Sequence, residues 1–131
     1  LAMLQELNSG LVASSACVAG LGGWVSQQTN DTESAFKMFN AELLPLMSIF
    51  GKDRFYLELQ FNKLPLQKIT NQNLIEYSKH TGYNLVATAD CHYPEPKMWR
   101  DREIYRLLGY QMQKDNTLRK RVKGAMMVRR D

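Results

Sequence analysis

The sequence has 131 residues, the length of one domain, and its 44% hydrophobic and 23% charged residues are ordinary for a globular protein and unlike a disordered chain. No apolar run approaches the roughly 20 residues of a membrane-spanning helix and no basic-then-apolar leader opens the chain, so a cytoplasmic protein without a membrane partner is expected. The net charge of +4 is local: residues 114–131 carry seven basic against two acidic side chains, +5, which leaves 10 basic and 11 acidic, −1, for the rest.

A basic tail of this kind is either a phosphate contact or a solvated end. The chain begins at Leu1 instead of Met and ends in VRRD without a terminal cap, so a fragment of something longer is expected. Cys17 and Cys91 are too few for a disulfide framework; in a reducing compartment they read as metal ligands or reactive thiols.

Leu1, Leu4 and Leu7 stand about one turn apart before Asn8-Ser9-Gly10, the pattern of a helix end with glycine beyond it. Residues 11–16 are small and apolar and predict a strand with Cys17 at its exit, and Gly20-Leu21-Gly22-Gly23 predicts a sharp turn. Asp31 and Thr32 offer capping oxygens to a helix that starts near Glu33, whose apolar stripe runs through Phe36, Phe39, Leu43, Met47 and Phe50. Pro45 interrupts that stripe, so a kink or a helix in two pieces is expected. The stripe itself is core packing.

Gly51-Lys52-Asp53 turns the chain into FYLELQ, a strand with Phe55, Leu57 and Leu59 on one side and Glu58 and Gln60 on the other. Glu58 is read as a structural hydrogen-bonding residue before a catalytic one. Residues 66–81 predict a helix with Ile69, Leu74 and Tyr77 buried and Gly82 past its end. Lys79 and His80 fall in its last turn, where positive charge suits the helix dipole, so His80 is not counted as a ligand.

Residues 84–89 predict a third, buried strand that runs straight into Asp90-Cys91-His92-Tyr93. Along a strand, side chains two apart share a face, so Asp90 and His92 would project together as a carboxylate and imidazole able to hold a divalent metal. The plainer reading is a loop carboxylate beside a surface imidazole, and one Asp-x-His does not decide between them. Beyond Pro94-Glu95-Pro96, residues 98–113 predict a helix with Ile104, Leu108 and Met112 aligned and an exposed face of Arg100, Asp101, Arg102, Glu103 and Arg106.

Helices thus alternate with strands throughout, which implies right-handed crossovers and a parallel sheet or barrel. Sites in such folds lie at the carboxyl ends of the strands, where Cys17, Asp90 and His92 all fall.

Three stretches carry a resemblance to a family: GLVASSACVAG (residues 10–20), FGKDRFYLELQ (50–60) and LVATADCHY (85–93), with Asn71 and Leu74 between the last two. The chain resembles the carboxyl-terminal half of the PHP (polymerase and histidinol phosphatase) domain of the bacterial C-family replicative DNA polymerases, the polymerase III alpha subunits. The likeness covers residues 1–113, leaving 114–131 as a basic tail or the start of the connection to the polymerase domains.

The resemblance implies an α/β fold that is part of a distorted (β/α)7 TIM-like PHP barrel with parallel strands. It implies up to three divalent metal ions, zinc, manganese or magnesium, in the complete domain, with Cys17, Asp90 and His92 as ligands. It also implies DNA and other replicase subunits as partners, a DNA-directed DNA polymerase as the parent, and metal-assisted phosphodiester hydrolysis, 3′-5′ proofreading, at the PHP site. The family's earlier ligands, an HxH pair, further histidines and a Glu, belong to a preceding half, and this chain has only His80 and His92. The fragment by itself is therefore expected to be inactive. Ala89 also departs from the family, which often has Asn before the Asp. The alternatives are a non-catalytic PHP scaffold within the polymerase, or a stand-alone phosphoesterase of the histidinol-phosphatase type.

Overall fold

Three short parallel strands and the helices packed against them make up the first part of the molecule. The computed structural model describes residues 1–29 and 31–112. These run α1 (Ala2–Leu7), β1 (Ala13–Ser14), α2 (Leu21–Gln28), α3 (Thr32–Glu42), α4 (Leu44–Phe50), β2 (Phe55–Gln60), α5 (Pro65–Thr81), β3 (Asn84–Thr88), a short 3-10 turn (Pro96–Met98) and α6 (Trp99–Met112). The chain divides into two compact units, Leu1–Asp90 and a second that begins at Cys91. Among the described residues no helix is long and apolar enough to cross a membrane.

In the first unit the sheet order is β1-β2-β3, all parallel, with Ala13 opposite Phe55, Ser14 opposite Tyr56, and Tyr56 to Gln60 opposite Asn84 to Thr88. Phe55 and Leu57 are fully buried and join Phe39, Leu43, Met47, Leu74 and Tyr77 in one core. The stripe expected on the third helix is therefore core, as its period requires. Pro45 does split it: α3 ends at Glu42, and α4 starts at Leu44 with the proline in its first turn, where a missing N–H costs nothing. Asp31 caps α3 by accepting from the amides of Glu33 (3.3 Å) and Ser34 (2.8 Å). Gly82 closes α5 in the left-handed conformation, φ +75°.

In the first unit five expectations are corrected. The strand over 11–16 shrinks to Ala13–Ser14, because β1 is an edge paired only with β2 and Ala16 turns into the left-handed region at φ +60°. The expected Gly-rich turn is instead the start of α2, with Gly20 as its N-cap. There glycine serves packing: a Cβ on Gly23 would stand 1.7 Å from the Val18 carbonyl oxygen.

On α5 the buried side chains are Gln67, Thr70, Asn73, Leu74 and Tyr77, whereas Ile69 is only half-buried. That helix lies on α2, where Asn73 donates to the Ser26 hydroxyl (3.2 Å), so polar pairs replace apolar contacts. β3 is not buried on both faces: among the described residues it pairs only with β2, and Leu85 is 40% exposed. Finally, β3 stops at Thr88 and Asp90 has φ +51°, so the strand periodicity that would align Asp90 with His92 does not reach them.

In the second unit α6 forms as expected over Trp99–Met112 and exposes Arg100 and Asp101 as predicted, but the rest of the helix departs from the prediction. Ile104 and Leu108 are exposed, while Glu103 is half-buried between Arg102 and Arg106, each 3.0 Å away. The Met112 side chain and the basic segment 114–131 lie outside the described residues.

Candidate site at the carboxyl ends of the strands

All three strands point the same way, so the loops leaving β1 and β3 start from one edge of the sheet, on either side of β2. The β1 exit runs through Ser15 and Ala16 to Cys17. Ser15 remains tied to the sheet, its amide donating to Tyr56 O (2.9 Å) and its hydroxyl accepting from the Glu58 amide (2.8 Å). Cys17 is half-buried; its Sγ accepts from the Ala19 amide (3.4 Å) and its carbonyl from the Gly20 amide (2.8 Å). Gly20 is needed there, since a Cβ would lie 3.0 Å from Ser15 O and 3.2 Å from Cys17 O. The β3 exit is shorter and reaches Asp90 two residues after Thr88.

Between the two exits stands Glu58. Its Oε2 accepts from the Ser14 hydroxyl (2.5 Å), and its Oε1 from the Thr88 hydroxyl (2.6 Å) and the Gln60 side-chain amide (3.0 Å). Burial pushes the Glu58 carboxyl up, but those three hydrogen bonds outweigh it and hold the group below its ordinary 4.5, so it is ionised at neutral pH. The structural role expected of Glu58 is thus observed, with an unexpected reach: the side chain touches both neighbouring strands. The in-register face shared by Ser14, Glu58 and Thr88 is the only sign of this in the sequence, and it needs the strand pairing to be seen.

Gln60 is buried and held from behind. Asn71 donates to its carbonyl (2.8 Å), accepts from its amide (3.4 Å) and also accepts from Gln67 (2.9 Å), which in turn accepts from Asn62 (3.0 Å). The Gln60 Oε1 has no hydrogen-bond partner among the described residues. Asn71 is thus a structural clamp on the end of β2.

Of the three expected ligands, Cys17 and Asp90 hang from the two outer strands of the first unit, and His92 lies at the start of the second. Among the described residues no group of three or more His, Cys, Asp and Glu side chains is gathered as a metal site. The donor chemistry nonetheless suits a divalent ion: a thiol and a carboxylate leave the same sheet edge beside an ionised glutamate, with an unsatisfied amide oxygen on the same strand. Cys91 is exposed. His80 is accounted for structurally, its Nδ1 2.7 Å from Glu76 O and its ring edge-on to Phe36 at 5.6 Å.

No protein-family model matches the chain. It is similar to several curated proteins. The DNA polymerase III subunit alpha of Aquifex aeolicus is 36% identical over 115 residues, covering 86% of this chain and 9% of that protein. The DNA polymerase III subunit alpha of Thermus aquaticus is 37% identical over 102 residues, 78% of this chain and 8% of the relative. That of Borreliella burgdorferi is 36% identical over 90 residues, 69% of this chain and 7% of the relative. The chain spans less than a tenth of the length of these relatives, and the similarities support a fragment of a DNA polymerase III alpha subunit.

Proposed function

We propose, from the premise that this chain is a fragment of a DNA polymerase III alpha subunit, that it is the carboxyl-terminal half of the PHP domain of that polymerase. On this reading the sheet is part of a PHP barrel, and Cys17, Asp90 and His92 contribute to a divalent-metal site that hydrolyses phosphodiesters in 3′-5′ proofreading. Nucleotide addition belongs to another part of the parent, whose partners are DNA and the other replicase subunits in the cytoplasm. The observation that carries the reading is the placement of Cys17 and Asp90 just beyond the carboxyl ends of parallel strands, in a chain similar to the polymerase over most of its length.

A divalent ion held there would lower the pKa of a bound water toward neutrality and stabilise charge on the phosphodiester oxygens. Asp90 brings negative charge, His92 a neutral nitrogen, and Cys17 a thiolate that favours a softer ion such as zinc over manganese or magnesium. β2 separates the two exits, so Cys17 and Asp90 approach the sheet edge from its two outer strands. The remaining ligands come from elsewhere in the parent.

The test is metal content. In the intact polymerase subunit, Cys17→Ala, Asp90→Ala and His92→Ala should each lower bound metal and 3′-5′ hydrolysis while DNA synthesis continues. Metal content unchanged in all three variants would overturn the assignment. Metal loss without any hydrolysis in the unaltered subunit would leave the scaffold reading in its place.

A further inference from the structure

Glu58 lies on the central strand, and its two carboxylate oxygens take hydroxyl hydrogen bonds from Ser14 and Thr88, the last residues of β1 and β3. Cys17 follows Ser14 by three residues, and Asp90 follows Thr88 by two. Between each hydroxyl and its candidate ligand the backbone makes a left-handed turn, at Ala16 (φ +60°) or at Asp90 itself (φ +51°), so neither exit continues the sheet ladder. β1 is held to the sheet by two residues of strand, and among the described residues β3 has a neighbour on one side only. The backbone ladder holds both strand ends, through Ser15 and Thr88, and Glu58 adds a side-chain link that reaches both. The Gln60 side-chain amide donates to the same carboxylate, and Asn71 holds the Gln60 backbone at the end of β2.

We infer that Glu58 is a positioning residue for the metal site: by joining the ends of β1 and β3 to β2, it sets the spacing of Cys17 and Asp90. This rests on the metal-binding reading above. Three hydrogen bonds tie the Glu58 carboxylate to its own sheet, which suits it to positioning the two exits. Groups that orient metal ligands typically change affinity by about 10- to 100-fold when removed, which sets the size of the expected effect.

The experiment is a cobalt(II) titration of the intact polymerase subunit, read by the thiolate-to-cobalt charge-transfer absorbance. The unaltered protein should show the band and Cys17→Ser should lose it. A band absent from the first or kept in the second overturns the metal reading, and the positioning role with it. Given the band, Glu58→Ala should weaken cobalt binding about tenfold or more, and Glu58→Gln, which keeps the shape and one acceptor oxygen, should recover most of it. Ser14→Ala removes a single exposed hydroxyl, and it should reproduce the weakening at the Cys17 ion. Combining it with Glu58→Ala should add little at that ion, since both break one bond. If Glu58→Ala does not fold, Ser14→Ala carries the test alone. Unchanged affinity in Ser14→Ala and in any folded Glu58 variant overturns the positioning role and leaves the metal reading standing.

Discussion

Two adjacent glycines in α2 should respond in opposite directions to the same substitution. In Gly23→Ala the new methyl would lie 1.7 Å from the Val18 carbonyl oxygen, 2.5 Å from its carbon and 2.8 Å from its Cα. All three are backbone atoms, so relief requires the Val18 turn or the first turn of the helix to move by more than an ångström. Overpacking of this kind costs about 3 kcal/mol, at the upper end of its usual range, and the gain in helix propensity offsets at most ~1 kcal/mol. The net loss is about 2 kcal/mol, or a Tm lower by ~8 °C. In Gly22→Ala the methyl would meet Thr70 Cγ2 at 3.6 Å and both Leu74 Cδ atoms at 3.7 Å, ordinary contacts, so a gain of about 0.5 kcal/mol is expected. Urea unfolding followed by far-ultraviolet circular dichroism, with the slope checked for constancy, measures both. A Gly23→Ala midpoint equal to or above that of the unaltered chain would refute the close approach of Val18 to α2.

Three further outcomes are expected. Glu58 titrates below its ordinary 4.5 in the folded chain, so it contributes stability above that pH which is lost as the pH falls through the lower folded value; Glu58→Gln should flatten the acid limb of a stability profile. Burial raises the Tyr77 phenol, and its hydroxyl donates to Asn40 (2.9 Å), so Tyr77→Phe should cost about 1 kcal/mol at neutral pH. The raised value also means that stability is lost as pH rises above 10, less steeply in the Phe variant, which an alkaline unfolding series would show. Arg54 donates to Asn8 O (2.6 Å) and Asn8 Oδ1 (2.8 Å), and α1 buries no residue of its own; Arg54→Met should therefore speed amide exchange in α1 about tenfold or more and leave β2 unchanged.

The legible parts of the fold were those specified locally. Asp31 before an apolar stripe, Pro45 within it and Gly82 after a helix each act within one or two turns, and each does what its chemistry requires. The alternation of strands with helical segments, α2 excepted, followed from the same signals, and with it the parallel sheet. What the sequence did not disclose depends on contacts that residue type and spacing do not specify. Gly22 and Gly23 carry a turn signal, but here they let Thr70, Leu74 and Val18 approach a helix. Gln67, Thr70 and Asn73 look like a solvated face until their hydrogen bonds to Asn71, Leu66 and Ser26 are seen.

The candidate site divides along the same line. That Cys17 and Asp90 leave the same edge of the sheet follows from strand direction alone, which alternation predicts. Their local geometry does not follow, because a two-residue period holds only while the backbone stays extended, and Asp90 has left the strand for the left-handed region. Glu58 is the further case: its partners lie 44 residues before it and 30 after it, and they meet it only because the register sets Ser14 and Thr88 on its side of the sheet. Desolvating a carboxylate inside a sheet is unfavourable unless donors replace water, and here the donors are supplied by both neighbouring strands. The carboxylate is therefore stable in this register and poorly satisfied in a shifted one. A slip of β1 or β3 by one residue would carry the Ser14 or Thr88 side chain to the other face, leaving Glu58 with one donor fewer and displacing Cys17 or Asp90 along the edge. The residue that looked merely structural thus links strand register to the position of the candidate ligands.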